Sequence, residues 1–173
     1  MKRISVIMGI YNCASTLQEA LDSLYAQTYQ DFKIILCDDG SKDDTLKIAE
    51  DNARQHENVV VIKNERNMGL NYTLNHCLKY VDTEYVARMD GDDLSMPTRF
   101  EKEIKFLDEH PEYAVVSAPM IYFDENGDFR WGKVKVRLLL KTLYMVPLYV
   151  MLLVWLELRC LMKWGDTLLI IAC

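Results

Sequence analysis

The chain has 173 residues, of which half are hydrophobic and 27% charged, and a formal net charge of −6. That length and composition fit one globular domain, or one domain with an appendage. The acidic balance and the lack of any basic stripe argue against a nucleic-acid partner. The five cysteines (Cys13, Cys37, Cys77, Cys160 and Cys173) form no CxxC pair and no zinc spacing. Reduced, mostly buried thiols are therefore expected. No signal-peptide core follows Lys2-Arg3, and a cytoplasmic setting is the expectation.

Taken in order, Ile4–Ile10 is a β-rich run ending at Tyr11-Asn12. Asn12 or Ser15 is placed to cap the following helix, whose apolar face is Leu17, Ala20, Leu21, Leu24 and Tyr25. Phe32–Cys37 reads as a second strand that ends in Asp38-Asp39-Gly40-Ser41. A helix starts near Thr45, with acids at its N-terminus, and runs to about His56. Leu46, Ala49 and Ala53 are expected to point inward from it. Val59–Ile62 is a third strand, followed by Asn64–Gly69 and a helix from about Leu70 to Tyr80. Tyr85–Met89 is a fourth strand, and Pro97 suits the first turn of the helix that ends near His110-Pro111. Phe100, Ile104 and Leu107 line one face of that helix. Tyr113–Ala118 reads as a fifth strand, and Asn126-Gly127 signals a hairpin between Ile121–Phe123 and Phe129–Trp131.

Strands alternating with helices imply βαβ units in an α/β, doubly wound, mainly parallel sheet. Ligands of such sheets bind beyond the carboxyl ends of the strands. Tyr11, Asp38-Asp39 and Asp90-Gly91-Asp92-Asp93 all fall at such ends, so three strand tips converge on one crevice. The apolar run Tyr85–Met89 breaks straight into these acids. Carboxylates so crowded repel one another unless a proton or cation relieves them, and an all-oxygen set suits Mg²⁺ or Mn²⁺. The plain alternative is a solvated acidic turn.

The combination of Ser5-Val6-Ile7 with Tyr11-Asn12, Gln27-Thr28, Asp38-Asp39-Gly40-Ser41 with Asp44-Thr45, Asn67-x-Gly69 with Asn75, and Asp90-Gly91-Asp92-Asp93 with Met96-Pro97-x-Arg99 resembles family 2 glycosyltransferases of the GT-A fold. The resemblance covers roughly residues 1–131. It implies a Rossmann-like nucleotide-diphospho-sugar transferase fold and a donor, commonly a UDP-sugar, bound with a divalent cation, Mn²⁺ or Mg²⁺. By the same resemblance Tyr11 would lie against the base, Asp39 would accept from it, and Asp38 would bind or only shape the turn. Asp90 would approach the ribose or the metal, Asp92 would be a metal ligand, and Asn67 and Gly69 would form a loop close to the donor. Arg66 and Arg99 read either as charge stabilisers or as members of surface ion pairs. His76 and His110 read as structural or surface residues. The implied activity is sugar transfer to an acceptor hydroxyl, with inversion, in cell-envelope or capsular polysaccharide synthesis.

An inverting enzyme needs a general base. In the family this acid lies beyond the hairpin, and here no residue is assigned to it. From Lys133 the composition changes to Lys-Val-Lys-Val-Arg and then to an apolar run reaching Trp164, with Thr142–Leu156 uncharged. Residues 132–173 are therefore set apart as an apolar tail. It reads as a peripheral membrane contact through 138–164 for a lipid-linked acceptor, as a helix covering the sheet, or as an aberrant end. Rival functions are a nucleotidyltransferase, a phospho-receiver module, and a homologue that binds donor without turnover.

Overall fold

The structure, a computed structural model, describes residues 2–111, 113, 115–117, 121–124, 127–131 and 169–172. Three strands open the chain: β1 (Ile4–Ile10), β2 (Phe32–Asp38) and β3 (Val59–Lys63), joined through α1 (Leu17–Tyr25) and α2 (Thr45–Gln55). Then come α3 (Leu70–Leu78), β4 (Tyr85–Arg88), α4 (Arg99–Glu109), β5 (Val115–Ser117), β6 (Ile121–Asp124), β7 (Gly127–Trp131) and β8 (Leu169–Ala172). The main sheet has the order β3-β2-β1-β4-β8-β5, and its pairings are all parallel.

Strand periodicity divides the core. Ile4, Val6, Met8 and Ile10 of β1, with Phe32, Ile34 and Leu36 of β2, face Leu17, Ala20, Leu21 and Leu24 of α1 and Phe100, Ile104 and Leu107 of α4. Ile7, Ile35, Cys37 and Val86 face the opposite way, onto Cys77 and Leu78 of α3. The near-continuous apolar strands follow from this, because both faces of a parallel sheet are covered. The chain runs outward from β1 to β3 and then returns past both strands to β4. Right-handed crossovers require the returning helix, α3, to take the other face. The direction reverses between β1 and β4, and the crevice at their carboxyl ends is where such a sheet takes ligands.

Several local expectations shift. The N-cap of α1 is Thr16 rather than Asn12 or Ser15. Asn12 instead adopts φ +49°, and its Oδ1 accepts from the Lys42 N–H at 2.8 Å. The buried stripe of α2 is Thr45, Ala49 and Asn52; Leu46 is only half-buried. Two polar residues are admitted there because both are bonded: Thr45 Oγ1 accepts from Cys13 N at 2.8 Å, and Asn52 Oδ1 accepts from the Tyr25 hydroxyl at 2.9 Å. Pro97 precedes α4 rather than opening it, since Thr98 is the N-cap. The hairpin forms, but Asp124 pairs with Gly127, which places Gly127 in the strand. Residues 132–168 of the expected tail lie outside the described residues. Leu169–Ala172, read from sequence as part of that tail, pair with both β4 and β5. Among the described residues no helix is long and apolar enough to cross a membrane.

Candidate functional site

The parallel register sets the site. Ile10 lies opposite Asp38, and Asp38 opposite Lys63, so the segments that follow β1, β2 and β3 leave the sheet side by side. Tyr11, Asp38-Asp39, the 64–69 loop and the Asp90–Asp93 tip all emerge at this one edge. Side chains then stitch the segments together. The Asn12 N–H donates to Ser41 Oγ at 3.0 Å, and the Ala14 N–H to Asp43 Oδ2 at 3.1 Å. Thr16 Oγ1 donates to the Gly91 carbonyl at 2.9 Å. A Cβ on Gly91 would come within 2.8 Å of Cys13 Sγ, so the glycine lets the acidic tip sit directly on the β1–α1 loop. Tyr11 remains 43% exposed, with an open ring available to a partner.

The two acids at the end of β2 do different work. Asp38 shapes the turn: its Oδ2 accepts from the N–H groups of Gly40 and Ser41, each at 3.1 Å. Asp39 reaches across to the next connection. Its Oδ1 accepts from Asn64 Nδ2 at 2.7 Å and Met68 N at 2.8 Å, and its Oδ2 from Gly69 N at 2.8 Å. Burial pushes the Asp39 carboxyl up, but the donors Asn64, Met68 and Gly69 outweigh it and hold the group below the usual carboxylate range. A carboxylate has about four acceptor sites, so Oδ2 keeps room for one further donor. Two glycines permit this approach. Gly40 has φ +77°, and a Cβ there would lie 2.9 Å from the backbone of Arg66 and of Asn67. Gly69 has φ +85°, which aims its N–H at Asp39 from a conformation that other residues resist. Asn67 is exposed on this loop, and its backbone packs against Gly40.

At the β4 tip Arg88 Nη2 donates to both oxygens of Asp90, at 3.2 and 3.1 Å. Asp92 is exposed. Burial first, then the charges of Asp90 and Asp92, push the Asp93 carboxyl up. The tip therefore holds more negative charge than its protein neighbours neutralise, and its donors are all oxygen, which fits a hard divalent cation. Among the described residues no three His, Cys, Asp or Glu side chains cluster closely enough to hold an ion alone. Mg²⁺ and Mn²⁺ usually complete their shells with water and phosphate oxygens, so two carboxylates are an adequate protein share.

Arg99 corrects an expectation. It is not in a surface pair: Arg99 and Glu103 are both buried, with Nε donating to Oε1 at 3.2 Å, and Arg99 Nη2 donates to the Arg88 carbonyl at 3.4 Å. Gln27, conspicuous in sequence only as part of a motif, fastens the same region. Its Nε2 donates to Met96 O at 2.8 Å and to Ser95 Oγ at 3.0 Å, and its Oε1 accepts from Phe100 N at 3.2 Å. No role for Asn64, Arg88 or Thr73 follows from the sequence. Asn64 had one usable signal, an amide directly after a strand in the position where Asp38-Asp39 stand at the end of β2. Thr73 had none, because its partner Asn64 comes from another segment.

A family model described as "Glycosyl transferase family 2" matches residues 5–156. The chain is 48% identical over 126 residues to the putative glycosyltransferase EpsE of Bacillus subtilis, covering 72% of this chain and 45% of EpsE. It thus spans less than half of that relative. Among solved structures, S. aureus TarS 1-349 in complex with UDP superposes with a TM-score of 0.62 at 30% identity, over 66% of this chain and 35% of that one. Mannosyltransferase PcManGT from Pyrobaculum calidifontis, in complex with GDP-Man and Mn²⁺, superposes with a TM-score of 0.62 at 26% identity, over 68% and 36%. The matched residues include every strand tip described above, and the chain belongs to glycosyl transferase family 2.

Proposed function

We propose that residues 1–131 form the donor-binding part of a glycosyltransferase that moves a sugar from a nucleotide-diphospho-sugar, a UDP-sugar in the first instance, to an acceptor hydroxyl. The observation that carries the reading is the pairing, at one sheet edge, of an ionised acceptor with an acidic tip. Asp39 is fixed as an acceptor only. It therefore suits a base with an imino N–H, uracil or guanine, and disfavours cytosine and adenine, which present a ring nitrogen acceptor at that edge. Tyr11 offers its exposed ring to the base, while Asn67 and Gly69 border the donor. Asp90 and Asp92 would hold Mn²⁺ or Mg²⁺; Asp38 maintains the turn beside them. When bound, the cation neutralises the diphosphate and the charge that grows on it as the sugar leaves.

Inversion at the sugar carbon, which calls for a base on the acceptor hydroxyl, is the family expectation, and no described residue is assigned that task. The acceptor is a saccharide or a lipid-linked saccharide in envelope or capsular polysaccharide synthesis on the cytoplasmic side of the membrane. For a lipid-linked acceptor, Lys133, Lys135 and Arg137 with the uncharged Thr142–Leu156 supply a peripheral membrane contact.

The test is a thermal-shift titration of the full chain with UDP, GDP, ADP and CMP, each with Mn²⁺, Mg²⁺ or EDTA. A ligand at about a hundred times its Kd stabilises by roughly 2.7 kcal/mol. Stabilisation by UDP with Mn²⁺, lost in EDTA, supports the reading. A chain that responds to none of the nucleotides, or to ADP and CMP as strongly as to UDP and GDP, overturns it.

A further inference from the structure

Asp39 is held by a side-chain chain that runs outward through Asn64 to His76 on α3, and its hydrogen-bond polarity is fixed throughout. The ionised Asp39 can only accept, so the amide of Asn64 must present Nδ2 to it, at 2.7 Å. The second Nδ2 proton goes to Thr73 Oγ1 at 2.9 Å, and the Thr73 hydroxyl in turn donates to the Gly69 carbonyl at 3.0 Å. Asn64 Oδ1 is thereby turned towards His76, whose Nδ1 lies 2.8 Å away. An amide oxygen has no proton to give, so His76 Nδ1 must carry the hydrogen. The thiol of Cys37, 3.7 Å from both Asn64 Oδ1 and His76 Nδ1, closes the buried side of the group. The rings of Tyr72 and Tyr80, centred 6.5 and 5.8 Å from that of His76, flank the imidazole along α3.

Asn64 is 8% exposed, and all its side-chain hydrogen-bonding groups are engaged. Turning its amide over would set an oxygen against the Asp39 carboxylate and a nitrogen against the His76 N–H. Both contacts would become repulsive, so the histidine proton locks the amide, and the amide locks Asp39 Oδ1. Met68 and Gly69 hold Asp39 through backbone groups whose loop is itself pinned through Thr73 to the same amide.

We propose that His76 and Asn64 are positioning residues for donor-base recognition: the Nδ1–H tautomer of His76 fixes the Asn64 amide, which orients Asp39 towards the imino N–H of the bound base. The inference rests on the proposed contact between Asp39 and the base. It assigns specificity to a helix whose other face is ordinary core, and it separates base affinity from diphosphate affinity.

The experiment measures affinity for UDP and for inorganic pyrophosphate, each with Mn²⁺, in the full chain and in His76→Leu, His76→Asn and Asp39→Asn. His76→Leu removes the donor at similar bulk. His76→Asn places an amide N–H close to where Nδ1–H stood. His76→Leu is expected to weaken UDP binding about tenfold and leave pyrophosphate within about twofold, since a buried acceptor loses its partner only on the base side. His76→Asn should recover most of that loss. Nitrogen-15 NMR of the neutral wild-type imidazole should show a protonated Nδ1 and a bare Nε2. Equal losses for both ligands, no loss in His76→Leu, no recovery in His76→Asn, or a protonated Nε2 with a bare Nδ1 would each overturn the proposal. Asp39→Asn binding UDP as tightly as the wild type would instead remove the base contact itself. That outcome is distinct from a failure at His76 in a chain where Asp39→Asn weakens UDP.

Discussion

Asp39 and Asp92 illustrate two carboxylates with opposite settings. Asp39 is buried and accepts three hydrogen bonds, so its charge is paid for by donors already in place. Replacing it with alanine would leave Asn64 Nδ2 and two backbone N–H groups without their acceptor. Asp39→Ala should weaken UDP binding more than pyrophosphate binding, by about tenfold in the ratio; calorimetry on both ligands checks this, and equal losses would contradict the base contact. Asp92 is exposed, and among the described residues no salt bridge holds it. Its charge is available to a ligand, and Asp92→Ala should abolish the Mn²⁺ dependence of UDP affinity while leaving the melting temperature of the unliganded chain nearly unchanged. An unaltered Mn²⁺ dependence would remove Asp92 from the metal set.

At the scale of elements, the site depends on how the connections are tied rather than on the strands alone. The β4–α4 connection carries the acidic tip and is anchored from the end of α1 by Gln27, 3% exposed, through bonds to Ser95, Met96 and the Phe100 N–H. Gln27→Ala strands the buried Phe100 N–H and frees the connection. It should cost about 1–3 kcal/mol of stability in urea unfolding, and it should also lower Mn²⁺-dependent UDP affinity, since the tip loses its tether. A stability loss with unchanged affinity would show that Gln27 supports only the fold. The aromatic contact between Phe32 and Phe100, edge to face at 5.4 Å, holds α4 on the sheet independently of Gln27 and should keep the variant folded.

For the molecule as a whole, the buried Arg99–Glu103 pair makes stability depend on pH. Burial pushes the Glu103 carboxyl up to about 7, with the facing Arg99 opposing the shift incompletely. Glu103 Oε2 has no hydrogen-bond partner among the described residues, which is consistent with burial winning. The sign follows from proton binding. Between the unfolded value of 4.5 and the folded value of about 7, the folded chain holds the proton more tightly, so stability falls as pH rises through that window. The shift corresponds to roughly 3 kcal/mol. Glu103→Gln should flatten this slope, gaining on the wild type between pH 5 and pH 8 by up to that amount. Urea unfolding of both proteins at the two pH values decides it, and parallel pH profiles would rule the effect out.

The sequence by itself determined the order and kind of the elements from β1 to β7, though not the strand β8, because burial on both faces of a parallel sheet leaves long apolar strands and amphipathic helices that are plain to read. It also located Tyr11, Asp38, Asp39, Asp90 and Asp92 at the carboxyl edge, since strand ends are marked where apolar runs break into acids; Asn67 and Gly69 were singled out only through the family resemblance. Only the tertiary structure decided which acid does what. Asp38 and Asp39 are adjacent in sequence, yet one bonds within its own turn and the other bonds 25 to 30 residues away, at Asn64, Met68 and Gly69. The tethering by Gln27 and the link from His76 to Asp39 were hidden for the same reason. Each depends on a partner from another connection, and local periodicity carries no information about which side chains the sheet brings together.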